Sequence, residues 1–276
     1  MKQRLVVKEI KCRSALNRTG IPGYEFCLNP YSGCAHRCLC CYADFTRRFT
    51  RHDQPWGEYV DVKVNFPEVL RKQLGGRKKP AGRVILGTVT DPYQPLESSY
   101  HITRTSLEVL AGCPNLEVDL LTKSGLVTRD IEILQRLTGC SVGFSINLLN
   151  DAMARVLEPE ATPPSGRLAA AKEMVEGGLS VWVFIAPLLP GLGDRPEALS
   201  QLLAGIKQAG VKAVEVDFFN PYPSAVKRLR RVYQSFFPWA LRSLEWFLAD
   251  PLEYRLQVSA TLQKYSEVYS FNLVPG

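Results

Sequence analysis

Asn29-Pro30-Tyr31-Ser32-Gly33-Cys34-Ala35-His36-Arg37-Cys38-Leu39-Cys40-Cys41-Tyr42-Ala43 decides how the rest of the chain is read. Four of the chain's eight cysteines fall within the eight residues 34–41, and Cys34, Cys38 and Cys41 stand in a C-x3-C-x2-C spacing. Thiolates this close on one loop can converge on an iron–sulfur cluster, whose irons are normally held by cysteine sulfur. A [4Fe–4S] cube held by three protein thiolates keeps one iron open to an outside ligand, and the chemistry belongs at that iron. Zinc is the competing occupant. It prefers four ligands drawn from two separated Cys or Cys/His pairs. No second cysteine pair follows downstream, and His36 lies inside the same short loop. Cys40 is read as packing beside the cluster, and a ligand exchange between Cys40 and Cys41 stays open.

A chain of 276 residues suffices for one large core, either as a single α/β barrel-type domain or as two smaller ones. Its 46% apolar and 22% charged content is ordinary for a soluble globular protein. No apolar run reaches the length of a membrane span, and the opening MKQRLVVKEIKCR lacks the apolar centre of a signal peptide. The expectation is a cytoplasmic protein with no membrane partner. Eight cysteines then read as thiols or cluster ligands, because a reducing compartment disfavours structural disulfides. Cys12, Cys27, Cys113 and Cys140 stand alone and read as small buried hydrophobes. The net charge of +7 favours anionic partners, nucleic acid among them, through non-specific attraction only.

Outward from the cysteines, residues 1–28 read as an N-terminal extension with one short strand, Leu5–Ile10. Arg47, Arg48 and Arg51 form a basic cluster after the loop, residues 59–65 alternate as a strand, and Pro67–Leu74 opens a helix that ends at Gly75-Gly76. A strand–helix beat follows. Strands are expected over Val84–Thr90, Leu116–Thr122, Ser141–Ile146, Leu179–Ala186 and Val211–Phe219. Helices are expected over Thr103–Leu110, Thr128–Leu137, Asp151–Leu157, Gly166–Glu176 and Pro196–Gln208. Alternation of this kind argues a parallel sheet with crossover helices, about six βα units in all. Residues 29–220 thus read as one partial α/β barrel. Past the break at Pro221–Pro223, residues 221–276 read as a helical C-terminal extension over Ala225–Tyr233 and Trp239–Leu248, whose aromatics seal the barrel.

The C-x3-C-x2-C loop, with Asn29-Pro-Tyr-Ser-Gly-Cys-x-His-x-Cys around it, resembles radical S-adenosylmethionine enzymes of the spore photoproduct lyase-like branch. That resemblance implies an open TIM-like (β/α)6 barrel, a [4Fe–4S] cluster, S-adenosylmethionine, and an electron donor of the flavodoxin or ferredoxin type. It puts Thr90 and Asp91, in Thr88-Val-Thr-Asp-Pro-Tyr-Gln-Pro, beside the methionyl amino group; a rigid turn at Pro92 and Pro95 explains the same stretch. It puts Lys123 and Ser145 beside the methionyl carboxylate; a surface lysine and a capping serine are the plainer readings. Ala186 in Ile185-Ala-Pro-Leu-Leu-Pro-Gly, and Tyr42, are implied to lie along adenine. Glu158 and Arg167 resemble the family as well, with Arg167 as a helix brace. His101 reads as structural.

Two positions depart from that pattern. Cys40 stands where an aromatic residue is usual, and Val89 where photoproduct lyases carry their hydrogen-donating cysteine. Cys113 and Cys140 fall at the wrong pole of the barrel to replace it. The chain therefore reads as a relative of those lyases without their repair reaction. The resemblance implies reductive cleavage of S-adenosylmethionine to methionine and a 5′-deoxyadenosyl radical, which abstracts hydrogen from a substrate at the barrel mouth. Three readings stay open: a nucleic-acid base or lesion, a small molecule of a biosynthetic pathway with the alternative of another sulfur–carbon bond being cut, and a zinc-binding nucleic-acid module.

Overall fold

The computed structural model describes residues 5–77 and 79–273; residues 1–4 and 274–276 of the expected extensions, and residue 78, lie outside them. β1 (Val6–Ile10), β2 (Asn17–Arg18), β3 (Phe26–Leu28) and β4 (Tyr31–Ser32) lead into the cysteines. A 3-10 helix over Tyr42–Phe49 follows, then β5 (Tyr59–Lys63) and α1 (Phe66–Leu74). The alternation then runs through β6 (Gly82–Leu86), α2 (Glu97–Tyr100), α3 (Ile102–Leu110), β7 (Leu116–Thr122), α4 (Ile131–Leu134), β8 (Ser141–Ser145), α5 (Asp151–Leu157) and α6 (Pro164–Glu176). It ends with β9 (Ser180–Leu188), α7 (Pro196–Gln208) and β10 (Ala213–Phe218), after which come α8 (Pro223–Phe236), α9 (Leu241–Ala249) and α10 (Pro251–Tyr269).

The main sheet has the order β10-β9-β8-β7-β6-β3-β2, parallel from β3 to β10, with β2 antiparallel on its edge. Six parallel strands with crossover helices make the partial (β/α)6 barrel, open between β10 and the β3 edge. The expected strand at Leu5–Ile10 forms, but it pairs with β5 in a separate sheet of order β1-β5-β4 that backs the cysteine loop. The first barrel strand is instead β3, within the stretch read as extension. Three residues are too short to carry a period.

Apolar strand residues bury the outer face of the sheet against the helices: Val84, Leu86, Val118, Leu120, Val142, Phe144, Val183 and Ile185 are all fully buried. The lower lumen is filled by polar groups. Arg83 pairs with Asp119, which also accepts from the Ser141 hydroxyl, and the guanidinium lies 4.9 Å over the Tyr24 ring. Chemistry is thereby confined to the other pole, at the carboxyl ends of the strands. β6 stops at Leu86, short of the expected Thr90. Gly87 has φ +95°, and a side chain there would fall 2.3 Å from the Leu121 carbonyl oxygen. Thr88–Asp91 accordingly form a loop above the strand.

One helical expectation is corrected, and the helical C-terminal extension gains a helix that the sequence did not delimit. The segment expected over Thr128–Leu137 splits into a 3-10 helix, Gly125–Asp130, and the short α4. α10 was not foreseen, although Asp250-Pro-Leu-Glu253 announces it: Asp250 Oδ1 accepts from Glu253 N at 3.0 Å, with proline in the first turn. The C-terminal helices dock on the loop after β9. The Tyr233 hydroxyl donates to Pro190 O at 2.8 Å, and Tyr254 donates to the buried Asp194. No helix among the described residues is long and apolar enough to cross a membrane.

Candidate functional site

The cysteine loop enters over Gly33, whose φ of +81° and ideal Cβ 2.4 Å from the Tyr59 carbonyl oxygen exclude any side chain. Its backbone is then held from several directions. The Thr90 hydroxyl donates to Gly33 O at 2.7 Å. Gln94, fully buried, accepts from Ala35 N at 2.9 Å and donates to Thr90 Oγ1 at 3.1 Å. His36 lies 3.1 Å from Asp91 Oδ2 through Nε2 and 3.1 Å from Glu160 O through Nδ1. Leu39 N donates to Leu157 O at 2.9 Å. From α8, Arg228 donates to Leu39 O and Cys41 O, each at 3.0 Å, and to Asp44 Oδ2 at 2.8 Å. Val89, Trp56, Tyr59 and Ala43 pack around Cys34 and Cys41.

Cys34, Cys38 and Cys40 are buried and Cys41 half-buried. Burial pushes all four thiols up, Cys34 and Cys40 to about 12, with Asp91 adding to the effect at Cys34 and Glu158 at Cys38 and Cys40. Burial thus disfavours free thiolates here, and a bound cationic centre would stabilise them. Among the described residues no three His, Cys, Asp or Glu side chains converge closely enough to hold a single metal ion. The donor set is all sulfur, buried and on one loop, which fits an iron–sulfur cluster.

Beside the loop, the strand ends carry a closed polar network. Asp91 accepts three times, from Tyr93 N at 2.8 Å, Thr122 Oγ1 at 2.7 Å and Lys123 N at 2.7 Å, and His36 Nε2 lies 3.1 Å from its Oδ2. Burial opposes its charge, but His36 and these donors outweigh it and hold the carboxyl below its ordinary value. Lys123 Nζ donates to Ser145 Oγ and to Glu158 Oε1, each at 2.7 Å. The Ser145 hydroxyl donates in turn to Ala186 O at 2.8 Å. Arg167, fully buried, pairs with Glu158 and donates to Ser145 O at 2.8 Å and Thr162 O at 2.6 Å. Burial opposes the Glu158 charge too, yet Arg167 and Lys123 hold its carboxyl down at about 2. Lys123 feels the same balance from the other side: burial works against its charge and Glu158 raises it above the ordinary value.

Besides His36 Nε2, which faces Asp91 in ion-pair contact without a hydrogen bond, two groups of this network are left over. An ammonium has three donors, and two of those on Lys123 are used. Asn147 Oδ1 is buried without a hydrogen-bond partner among the described residues. Leaving such an atom unmet costs about 1–3 kcal/mol, which a bound polar group can recover.

The structure therefore gathers Thr90, Asp91, Lys123, Ser145 and Ala186 beside Cys34 and Cys38, linked through Gly33, His36 and Glu158. Tyr42 sits on the rim, its hydroxyl donating to Thr88 O at 2.8 Å. Thr90 and Asp91 face the loop that they hold, with both Asp91 oxygens occupied. Cys113 and Cys140 lie before the amino ends of β7 and β8, at the opposite pole. Gln94 and Arg228 were missed. Gln94 lies inside the quoted Thr88–Pro95 stretch, where its amide had no signal. Arg228 reads as one of a basic run over Lys227–Arg231, and its inward aim follows only from the docking of α8.

The sequence matches the Radical SAM superfamily over residues 28–203. It is 31% identical over 194 residues to an uncharacterized protein of Methanocaldococcus jannaschii, covering 70% of this chain and 72% of that one. It is 26% identical over 212 residues to the Radical SAM Nα-GlyT isomerase of Pseudomonas phage M6, covering 76% of this chain but 42% of the isomerase. The fold is shared with spore photoproduct lyase complexed with dinucleoside spore photoproduct, at a TM-score of 0.64 and 18% identity over 83% of this chain and 66% of the lyase. The latter two proteins are thus matched over less than two thirds of their length. The superfamily match spans the loop, the network and the strands that carry them, and it sets aside a non-enzymatic zinc module: the chain belongs to the radical SAM superfamily, whose enzymes use a [4Fe–4S] cluster and S-adenosylmethionine.

Proposed function

We propose that this enzyme starts radical chemistry on a nucleic-acid base or lesion presented at the open side of its barrel. When bound, the cluster supplies the electron that cleaves S-adenosylmethionine. Cys34, Cys38 and Cys41 are the cluster ligands in this reading, and Cys40 packs beside them. The unused donor of Lys123 meets the methionyl carboxylate, with Ser145 and Glu158 fixing the lysine. Thr90 and Asp91 act on the methionyl end through Gly33 and His36, which they hold. Tyr42 and the Ala186 strand end border adenine, and the rim excludes water while leaving the seam beside β10 open. A flavodoxin- or ferredoxin-type donor supplies electrons from the cytoplasm.

The observation that carries the substrate class is the seam itself. Among the described residues β10 is an unpaired edge, and the cleft beside the β10–α8 connection is lined by Arg47 and Arg48, which form no ion pair with a carboxylate there. The structural relative in complex with a dinucleoside photoproduct supports the same class. Val89, packed against the Cys34 shell, offers no easily donated hydrogen, which supports a reaction other than photoproduct repair. The same valine favours the second reading, a small-molecule substrate.

The test uses anaerobic protein with its cluster reconstituted and reduced, given S-adenosylmethionine with intact DNA, UV-damaged DNA or no DNA. The expected result is 5′-deoxyadenosine whose formation DNA accelerates. Formation indifferent to DNA transfers the case to small molecules. A different fragment of S-adenosylmethionine shows another bond being cut. No cleavage by iron-loaded protein overturns the proposal.

A further inference from the structure

Four side chains of the Tyr42–Phe49 helix form a continuous ladder. The rings of Tyr42 and Phe45 are stacked with centroids 6.2 Å apart and planes 18° from parallel. The Arg48 guanidinium lies 5.7 Å from the Phe45 centroid and 4.7 Å from that of Phe49. The ladder starts at the residue after Cys41 and runs outward, and both its ends are exposed, Phe49 at 72% and Tyr42 at 42%. Leaving such rings in water costs burial free energy, so their arrangement asks for an occupant.

Beside the ladder lies an open cleft of about 410 Å³, lined by Asp44, Phe45, Arg47, Arg48, Tyr222 and Ser224 among others. It separates the helix from the β10–α8 connection and so opens onto the barrel seam. Its one acidic wall residue is already satisfied, since Asp44 accepts from Arg228 at 2.8 Å and from the Ser224 hydroxyl. Arg47 spends one donor on a backbone oxygen, Asp53 O at 2.8 Å, which leaves its charge unneutralised. On the facing helix, Arg231 and Lys227 are exposed and also form no ion pair among the described residues, whereas Arg230 is paired with Glu245.

We infer that this ladder and cleft bind a single-stranded stretch of nucleic acid. A base stacks on the exposed Phe49, and phosphates meet Arg47, Arg48 and the α8 cations, so that the strand is fed from the surface to the barrel mouth at Tyr42. Every base has a π face, so stacking platforms interleaved with cations hold single strands with little sequence preference. The volume suits one nucleotide at a time. An acidic polypeptide would use the cations but would leave the rings unmatched. The inference rests on the nucleic-acid reading above and adds the surface that delivers the strand.

Its test measures binding rather than turnover, on cluster-loaded protein and fluorescent oligodeoxynucleotides, single- and double-stranded, across a salt series. Wild type binds the single strand. Phe49→Ala weakens it roughly 5- to 150-fold, the range for loss of one base–aromatic stack. Phe49 is so exposed that its removal leaves the fold intact, which matched thermal melts check. Arg47→Ala with Arg48→Ala lowers the slope of log affinity against log salt by about 1.4, at ~0.7 per phosphate contact. If wild type binds single strands and both variants keep its affinity and slope, the ladder is not the track, while the nucleic-acid reading stands. If wild type binds no DNA at any salt, both fall. Polyglutamate bound as tightly as DNA, with no loss in Phe49→Ala, overturns the inference in favour of an acidic protein partner.

Discussion

Over β6, β7 and β8 the barrel mouth is densely bonded, whereas over β10 it is sparse. On the first side Asp91 accepts three times and faces His36, Glu158 is clamped between Lys123 and Arg167, and Gln94 and Thr90 hold the loop backbone. On the second, β10 alternates strictly: Val214, Val216 and Phe218 are buried while Glu215 and Asp217 are exposed. Preorganisation explains the contrast. A cofactor that is the same at each turnover is best met by side chains locked by their neighbours. A substrate that must enter and leave is met by a face that costs little to rearrange.

The strongest way to break this comparison is at the thiols. Cys34→Ala, Cys38→Ala and Cys41→Ala each lose the cluster's iron and all 5′-deoxyadenosine formation, while Cys40→Ala keeps its iron; metal analysis and product assay read both. Iron lost equally from Cys40→Ala would reassign the ligands. Next in size is Glu158→Ala, which strands two buried cations. Such a loss costs about 3–5 kcal/mol, read as a fall in the urea midpoint, and a mild effect would show the dense side to be less coupled than its bonds imply.

Arg228→Ala comes third. It removes charged donors from Leu39 O and Cys41 O, worth about 1.5–3 kcal/mol each where the group stays buried. We expect faster amide exchange in residues 38–44 and a changed spectrum of the reduced cluster, with Arg228→Lys recovering only part. Unaltered exchange in both variants would make the arginine a surface group.

The fourth prediction concerns pH. Burial pushes the Asp194 carboxyl up to about 6, against donations from Tyr254 and from Gly191 N at 2.7 Å. The folded value lies above the unfolded one of about 3.9, so the folded state binds the proton more tightly. Its contribution to stability is complete below about pH 4 and is lost as pH rises through about 6. Asp194→Asn should flatten that decline, on the order of 2–3 kcal/mol, in melts between pH 4 and 7. Parallel curves would show that Asp194 is not the group. The smallest effect is expected at Asp217→Asn on the sparse side, within about 0.5 kcal/mol of wild type. A cost near that of Glu158→Ala would erase the contrast.

What could be read in the chain beforehand follows the same division. The strand–helix beat from β6 to β10 was legible because buried parallel strands write themselves as apolar runs. The cysteines were legible because their spacing is local. The partners of the polar residues were not: Lys123 and Asp91 read as groups waiting for a ligand, yet Glu158 and His36 engage them across 35 and 55 residues of chain. Arg228 read as one of a basic run over Lys227–Arg231, and only the packing of α8 turns it toward Cys41. β3 was invisible in three residues, and α10 was missed despite the Asp250–Glu253 cap because its faces are nearly equal in polarity.

The grip of Arg228 on the cysteine loop also sets a schedule. Leu39 and Arg228 are separated by 189 residues. A ribosome adding ~5–20 residues per second needs about 10–40 seconds to cover that interval. Throughout it, Cys34, Cys38, Cys40 and Cys41 exist on a nascent chain that lacks its last brace, open to oxidation or to the wrong metal. Orderly maturation therefore favours delivery of iron and sulfide after α8 has emerged.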